Sequence, residues 1–273
     1  MLYLICTPIG NLNDLSLRSI NTLNEVDRIY VEDTRVAAKL LQHFKISKKT
    51  IPFHEHNEDF VISEIIEFIE DGNNVAIMSD AGAPLISDPG YPLIQQCIEK
   101  NIPFTALPGP SSVINALMLS GLPSEKFLFN GFLPKQNEAK RKIAIELKAS
   151  GVTNIFFESA KRISKTIDLF LEVLDHSTEI SICREMTKEY ESIYRGTLGE
   201  VFKMLQAGQI KLLGEFVLLV YSEDNQHHDF KLDENFCRLF LEYLSPSDAS
   251  KLIAKITSNS KKDVYKFLVD ISK

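Results

Sequence analysis

Four short apolar runs constrain this chain of 273 residues more than any other feature: Leu2–Cys6, Arg28–Val31, Val75–Met78 and Pro103–Leu107. Each is closed within two residues by Pro or Asp: Pro8, Asp33, Asp80 and Pro108. Between them apolar residues return at helical spacing, first Ala37, Leu40, Leu41 and Phe44, then Ile62, Ile65, Ile66 and Ile69. The second series stops at Asp71-Gly72, where a left-handed residue suits a helix end. Short apolar strands alternating with amphipathic helices require a mainly parallel sheet covered by helices, an α/β fold.

After Pro108-Gly109-Pro110 the pattern changes. Strands expected at Phe127–Gly131, Asn154–Phe157, Glu179–Cys183 and Glu215–Tyr221, with an edge strand at Glu191–Tyr194, alternate with helices near 137–149, 162–174 and 198–207. Several connections are short enough to be hairpins, so the second sheet should be mixed. Residues 223–231 are polar and read as a linker containing His227-His228, both solvated. Beyond it a helix near 233–243 precedes two with clear starts: Ser245-Pro246, then Ser260-x-x-Asp263, which resembles a capping box. The expected organisation is two α/β domains, residues 1–111 with a mainly parallel sheet and 112–222 with a mixed sheet. A small helical C-terminal extension follows over 230–273.

Net charge is −7 overall. Residues 1–110 carry 8 basic and 15 acidic side chains, whereas residues 111–222 carry 14 and 13. This excludes a protein that coats nucleic acid by bulk charge and leaves room for a local basic site. The last 51 residues carry 8 basic and 9 acidic side chains, which argues against a helix-turn-helix tail that reads nucleic acid by itself. No run of about 18 apolar residues exists, so no membrane span is expected. Met1–Cys6 has no basic lead-in and reads as a first strand instead of a signal peptide. Cys6, Cys97, Cys183 and Cys237 form no CxxC pair and read as reduced thiols in a cytoplasmic protein.

In parallel α/β sheets ligands lie beyond the carboxyl ends of the strands, so the turns after the strands are the places to look. Thr7–Leu12 and Leu107–Ser112 each combine Pro and Gly, and the latter opens a helix whose amides suit a polar or anionic group. The loop Ser79–Gly90 packs two Asp, two Ser, two Gly and two Pro into twelve residues, presetting backbone groups for a flat polar ligand. Neither GxxxxGK[ST] nor GxGxxG occurs, which excludes a P-loop or Rossmann dinucleotide site. Three strand ends place acid beside base: Glu32–Arg35, Glu158–Arg162 and Arg184–Lys188. They predict a cleft lined with charge. Lys135, Lys140, Arg141 and Lys142 add a basic stretch that reads as a solvated helix start. His54 and His56 would share one face of a strand, but no third ligand has matching spacing, so no metal is expected.

These motifs occur together, and in order, with Ser120–Pro123 and Gly131–Pro134. Over residues 1 to about 222 the chain resembles the tetrapyrrole methylase-like class of S-adenosylmethionine-dependent methyltransferases, specifically its branch acting on small-subunit ribosomal RNA. The resemblance implies methyl transfer from S-adenosylmethionine to the ribose 2′-oxygen of a cytidine in 16S ribosomal RNA, within an assembled or nearly assembled subunit. It also implies a homodimer, and a cofactor cleft between the two α/β domains. By motif matching, Gly82, Ala83, Pro84 and Ile86 should embrace the methionine end of the cofactor. Pro8, Ser111, Ser112 and Ser159 should lie beside it, with Leu213 and Gly214 near the adenine. The chain departs from the pattern at Ala83 (Thr), Ser112 (Ala), Ala160-Lys161 (Pro-His), Met186 (Leu) and Leu213 (Lys).

A ribose hydroxyl is a poor nucleophile until its proton is shared. Glu158, Glu185, a neutral Lys188 and Asp88 are the candidate bases, and the residues leave the choice open. Arg35, Arg162 and Arg184 are the candidates for holding RNA phosphates, because a guanidinium binds phosphate in a fork. The rival substrate is a small molecule, such as a corrin precursor, in the same cleft.

Overall fold

The computed structural model describes residues 1–223, 233–257 and 259–272. The expected linker, including His227-His228, lies almost wholly outside the described residues. Elements run in the order β1 (Leu2–Ile5), α1 (Leu17–Glu25), β2 (Arg28–Val31), α2 (Thr34–His43), β3 (Thr50–Pro52), α3 (Glu58–Glu70), β4 (Val75–Met78), α4 (Tyr91–Glu99), β5 (Phe104–Leu107) and α5 (Ser112–Ser120). All five strands are parallel, ordered β3-β2-β4-β1-β5. Successive side chains on a strand face opposite ways, and β2 shows it. Tyr30 joins Phe53, Ile62, Ile65 and Leu93 under α3 and α4, while Ile29 and Val31 pack with Leu23, Leu40 and Leu41 under α1 and α2.

The second half runs β6 (Phe127–Phe132), α6 (Asn137–Leu147), β7 (Thr153–Ser159), α7 (Ile163–Val173), β8 (Glu179–Arg184), β9 (Ser192–Thr197), α8 (Leu198–Gln206) and β10 (Glu215–Tyr221). The sheet order is β6-β7-β10-β8-β9, with β6 parallel to β7 and the other pairs antiparallel. It is the mixed sheet that short connections predict. One face packs Phe156, Leu218 and Ile182 against Ile167, Phe170 and Val201 of α7 and α8. The other face receives α5, whose Val113, Ala116 and Leu117 meet Ile155, Val217 and Leu219. Thus the helix that leaves the first sheet covers the second.

Sequence periodicity missed α1, β3 and α4. β3 has only three residues and ends in Pro, and α4 starts at Tyr91-Pro92 behind a left-handed Gly90. His54 and His56 follow β3 in a turn, not on the strand expected for them. The cysteines are free, and three of the four are buried.

Three further helices, α9 (Glu234–Leu241), α10 (Pro246–Ile256) and α11 (Lys261–Ile271), enclose a small core of Cys237, Ala249, Ile253, Val264 and Leu268. This cluster shares no buried residue with the cores of the two sheets. Removing residues 223–273 should therefore leave the two-sheet body folded. The check is the thermal midpoint and far-UV circular dichroism of the shortened chain. A chain that no longer melts cooperatively would show that the third core supports the other two.

Candidate functional site

In an open parallel sheet the ligand crevice forms where strand order reverses. Here that point lies between β1 and β4, and their following loops are tied together. Thr7 and Gly82 form an isolated bridge, Thr7 N donating to Gly82 O at 2.8 Å and Gly82 N to Thr7 O at 3.0 Å. Thr7 Oγ1 also donates to the Ser79 carbonyl at 3.1 Å. Gly82 has φ 85°, a left-handed conformation that a Cβ disfavours.

Above this clamp lies a cavity of about 370 Å³. It opens between the carboxyl ends of the first sheet and the β7–β10 side of the second. Gly82, Ala83, Ile86, Ser111, Ser112, Ser159 and Gly214, which the resemblance assigns to the cofactor, line it. Pro8 does not: it lines a smaller neighbouring cavity with Thr7 and Gly10. Pro84 is buried beneath the loop. Leu213 points into solvent at 68% exposure, and its carbonyl accepts from Arg184 Nε at 2.7 Å. Apolar walls come from Ile9, Val113, Phe132, Phe157, Phe216 and Val217, most of which sequence reasoning did not single out. One available signal was the 64% exposed Phe132 of the Gly131–Pro134 motif, which meets Phe157 edge-to-face at 5.2 Å.

Several expected roles change once partners are visible. The Glu158 side chain has no exposed surface. Its Oε2 accepts from Lys140 Nζ at 3.1 Å and Thr166 Oγ1 at 2.8 Å, and its Oε1 from Arg162 Nη2 and the Ser159 amide, both at 2.7 Å. Both oxygens of this carboxylate are occupied by protein donors, so Glu158 anchors the end of β7 instead. Lys140, read as a solvated helix residue, is the buried counter-charge. Arg162 is committed to Glu158, Ser159 Oγ and the Leu133 carbonyl. Arg184 is 5% exposed and donates to the carbonyls of Leu213 and Tyr190. Neither guanidinium offers a free fork to phosphate. Arg35 projects from the surface with its side chain 87% exposed, and its Nε and Nη2 already donate to the Asp33 carboxylate at 3.0 and 2.6 Å. Its side chain and amide hold the Asp33 carboxyl down to about 2.

Glu185 and Lys188 pair at 3.1 Å, and Lys188 also reaches Glu215 at 3.0 Å. Burial opposes ionisation of both, but their partners win. The Glu215 amide and Lys188 hold Glu185 below the usual carboxylate range, and the two glutamates hold Lys188 above the usual lysine range. A neutral Lys188 is thereby excluded as the base. A Cβ on Gly214 would collide with the Glu185 carboxyl group.

Asp88 behaves in the opposite way. Burial first, then the like charges of Glu32 and Asp80, push its carboxyl up to about 6, against a hydrogen bond from Ser79. Glu32 and Asp80 are themselves raised, by burial first and then by neighbouring carboxylates. Asp88 lines the cavity and also a second one beside it, formed with Glu32, His54, Glu58 and Tyr91. No group of three ligands fit for a metal exists among the described residues, and no helix among them is long and apolar enough to cross a membrane.

Removing one partner from a buried ion pair leaves an uncompensated charge. Lys140→Met should therefore cost about 3–5 kcal/mol of stability in urea unfolding. A loss of only about 0–1 kcal/mol, as for a surface pair, would contradict the buried arrangement.

Residues 1–201 match the model of the Tetrapyrrole (Corrin/Porphyrin) Methylases family. Ribosomal RNA small subunit methyltransferase I of Halalkalibacterium halodurans is 45% identical over 80% of this chain and 75% of its own. The proteins of that name from Vibrio cholerae and Escherichia coli O157:H7 are 39% and 36% identical, each over 98% of this chain and 93% and 94% of theirs. Among solved structures, cobalt precorrin-4 methyltransferase, a cobalamin biosynthetic enzyme, is similar with a TM-score of 0.57 at 16% identity, over 81% of this chain and 94% of that one. Uroporphyrin-III-C-methyltransferase from Thermus thermophilus gives 0.54 at 17%, over 81% and 93%. At that identity these two bear on the fold alone.

S-adenosylmethionine is the cofactor of this family, and the cavity's chemistry fits it. Apolar walls suit an adenine, while the Ser111 hydroxyl at the start of α5 and the backbone of the Gly82–Ala83 turn suit the polar methionine end. Its volume falls in the range of small-molecule sites, about 300–1,000 Å³. From sequence to site the lines agree: this chain belongs to the Tetrapyrrole (Corrin/Porphyrin) Methylases family, and within it to the ribosomal RNA small subunit methyltransferase I group.

Proposed function

We propose that this chain methylates small-subunit ribosomal RNA, transferring the methyl group of S-adenosylmethionine to the ribose 2′-oxygen of a cytidine in 16S RNA. The family assignment supports RNA as substrate, and Asp88 is the observation that carries the mechanism. When bound, S-adenosylmethionine supplies an electrophilic methyl group. Gly82, Ala83, Ile86, Ser111, Ser112, Ser159 and Gly214 hold the cofactor and fix the direction of approach. Positioning of this kind is worth up to about 7–11 kcal/mol. Asp88, ionised at neutral pH yet close to its midpoint, accepts the hydroxyl proton as the oxygen attacks. A base so placed adds about 10²–10⁴-fold.

Arg35 lies close enough to Asp80, which lines the cavity, for their charges to interact, and it serves an RNA phosphate that competes with Asp33 for its fork. An acidic first half suits a nucleotide presented by a structured particle and splayed into the site, not a protein that binds bare RNA tightly. A cytoplasmic enzyme acting as a homodimer accords with this reading. β6 is an edge strand carrying the exposed Phe127, Leu128 and Phe132, and an uncovered apolar edge is where a second copy would pair.

The pH profile tests the base. Below about pH 6 the Asp88 carboxyl is protonated and cannot accept a proton, so kcat should fall tenfold per unit on the acid side. Asp88→Asn should lower kcat by about 10²–10⁴-fold and remove that limb. A variant that keeps the limb would assign it to another group.

Substrate and reaction are tested together with labelled S-adenosylmethionine and small ribosomal subunits from cells lacking this activity. Label should appear on a ribose 2′-oxygen after nuclease digestion and mass spectrometry. Arg35→Glu should abolish that labelling while the cofactor still binds. Cofactor binding without any RNA labelling by the unaltered chain would transfer the cleft to a small-molecule substrate.

A further inference from the structure

The second cavity, of about 560 Å³, shares Ser87 and Asp88 with the cofactor cleft as a common wall. A sugar seated against Asp88 from the cleft side therefore has this space within reach of its base. The wall is held in conformations that side chains avoid: Leu85 has φ 72° and Ser87 φ 69°. Gly90 has φ 117°, and a Cβ there would stand 2.5 Å from Leu85 Cδ2. The Gly90 amide donates to Glu58 Oε1 at 2.7 Å, tying the end of the loop to α3. Positive φ outside glycine persists only where the surroundings enforce it, and it clusters at ligand clamps.

The lining chemistry is selective. It includes Glu32, Glu55, Glu58 and Asp88 together with His54 and His56 but no lysine or arginine, so the four carboxylates repel a phosphate. Tyr91, 68% exposed at the start of α4, stands between Pro89 and Pro92 and offers a flat apolar face. Acceptors around an aromatic face suit an uncharged planar ring that presents hydrogen-bond donors. Glu58 already accepts from Gly90, and Glu55 is exposed beside His56, 3.8 Å away. Glu32 is half-buried at the end of β2, next to Asp88.

We infer that this cavity is the subsite for the base of the nucleotide being methylated, with Tyr91 stacking on the ring and Glu32 accepting from an exocyclic amino group. The inference rests on the RNA reading given above. Cytosine presents an amino group where uracil presents a carbonyl oxygen, and a carboxylate accepts from the first and repels the second. The subsite thus selects cytidine over uridine.

The test uses the full chain with unmethylated small subunits carrying cytidine or, by mutation, uridine at the labelled position. The unaltered chain should favour cytidine by about 5- to 150-fold in kcat/KM. Tyr91→Ala should lose about 5- to 150-fold on the cytidine particle, as aromatic stacking on a base predicts, with its Kd for S-adenosylmethionine unchanged. Tyr91→Phe should restore the rate, since the ring and not the hydroxyl is needed. Glu32→Gln should shrink the preference, because an amide can also donate to the uracil carbonyl. Unchanged kcat/KM in Tyr91→Ala, or an unchanged preference in Glu32→Gln, overturns the subsite while leaving the methylation reading intact. Absence of label from the unaltered chain on both particles, with cofactor bound, is the distinct result that removes the RNA reading and the subsite with it.

Discussion

The site depends on how closely two loops from different sheets approach at Gly10. An added Cβ there would stand 2.5 Å from Lys188 Cγ, 2.7 Å from Thr187 Oγ1 and 3.0 Å from the Met186 carbonyl. The next residue seals the contact, Asn11 N donating to Thr187 Oγ1 at 3.1 Å. Ile9 packs into the same apolar cluster as Met186, Val113 and Val217. The loop after β1 is thus fixed to the loop after β8, and the loop after β4 is fixed to β1 through Thr7 and Gly82. Three strand ends from two sheets become one rigid frame. A cavity between two bodies would otherwise vary in width, and bound-state geometry would have to be assembled from a broad ensemble.

Within that frame most ionised groups near the cleft are structural. Glu158 joins β7 to α6 through Lys140 and to α7 through Thr166 and Arg162. Glu185 joins its loop to the start of β10 through the Glu215 amide, and Lys188 spans both glutamates. Buried charge is tolerated where each carboxylate oxygen has a donor, and the fully buried Glu158 meets that condition. Asp88 and its neighbours Glu32 and Asp80 form the counter-case, where carboxylates crowd one another under partial burial. Like charges and desolvation raise affinity for a proton, which is the property a base requires.

This contrast explains what was legible in the sequence. The alternation of short apolar runs with helical spacing is a local signal, so both sheets and most helices could be read directly. β3 and α4 could not, because three residues ending in Pro52 and a helix opening at Tyr91-Pro92 carry too little periodicity. The Pro- and Gly-rich loops after the strands were legible because Pro and Gly act on their own backbone. Charge pairing is not local. That an acid stands at the end of β7 is visible in the sequence, but that Lys140, 18 positions earlier, turns inward to neutralise it is not. For the same reason Arg162 and Arg184 looked like phosphate ligands until their carbonyl partners came into view.

The loop Ser79–Gly90 then carries two demands at once. Its first half must approach the cofactor cleft through backbone, which Gly82 and Ala83 permit. Its second half must present Asp88 to both cavities, which requires the left-handed Leu85 and Ser87 and the bend at Gly90. A regular strand–helix turn cannot face two spaces from one residue. The strain therefore falls where a single carboxylate lines both cavities. The Thr7–Gly82 clamp and the Gly90–Glu58 hydrogen bond sit at either end of that strained segment and hold it in place.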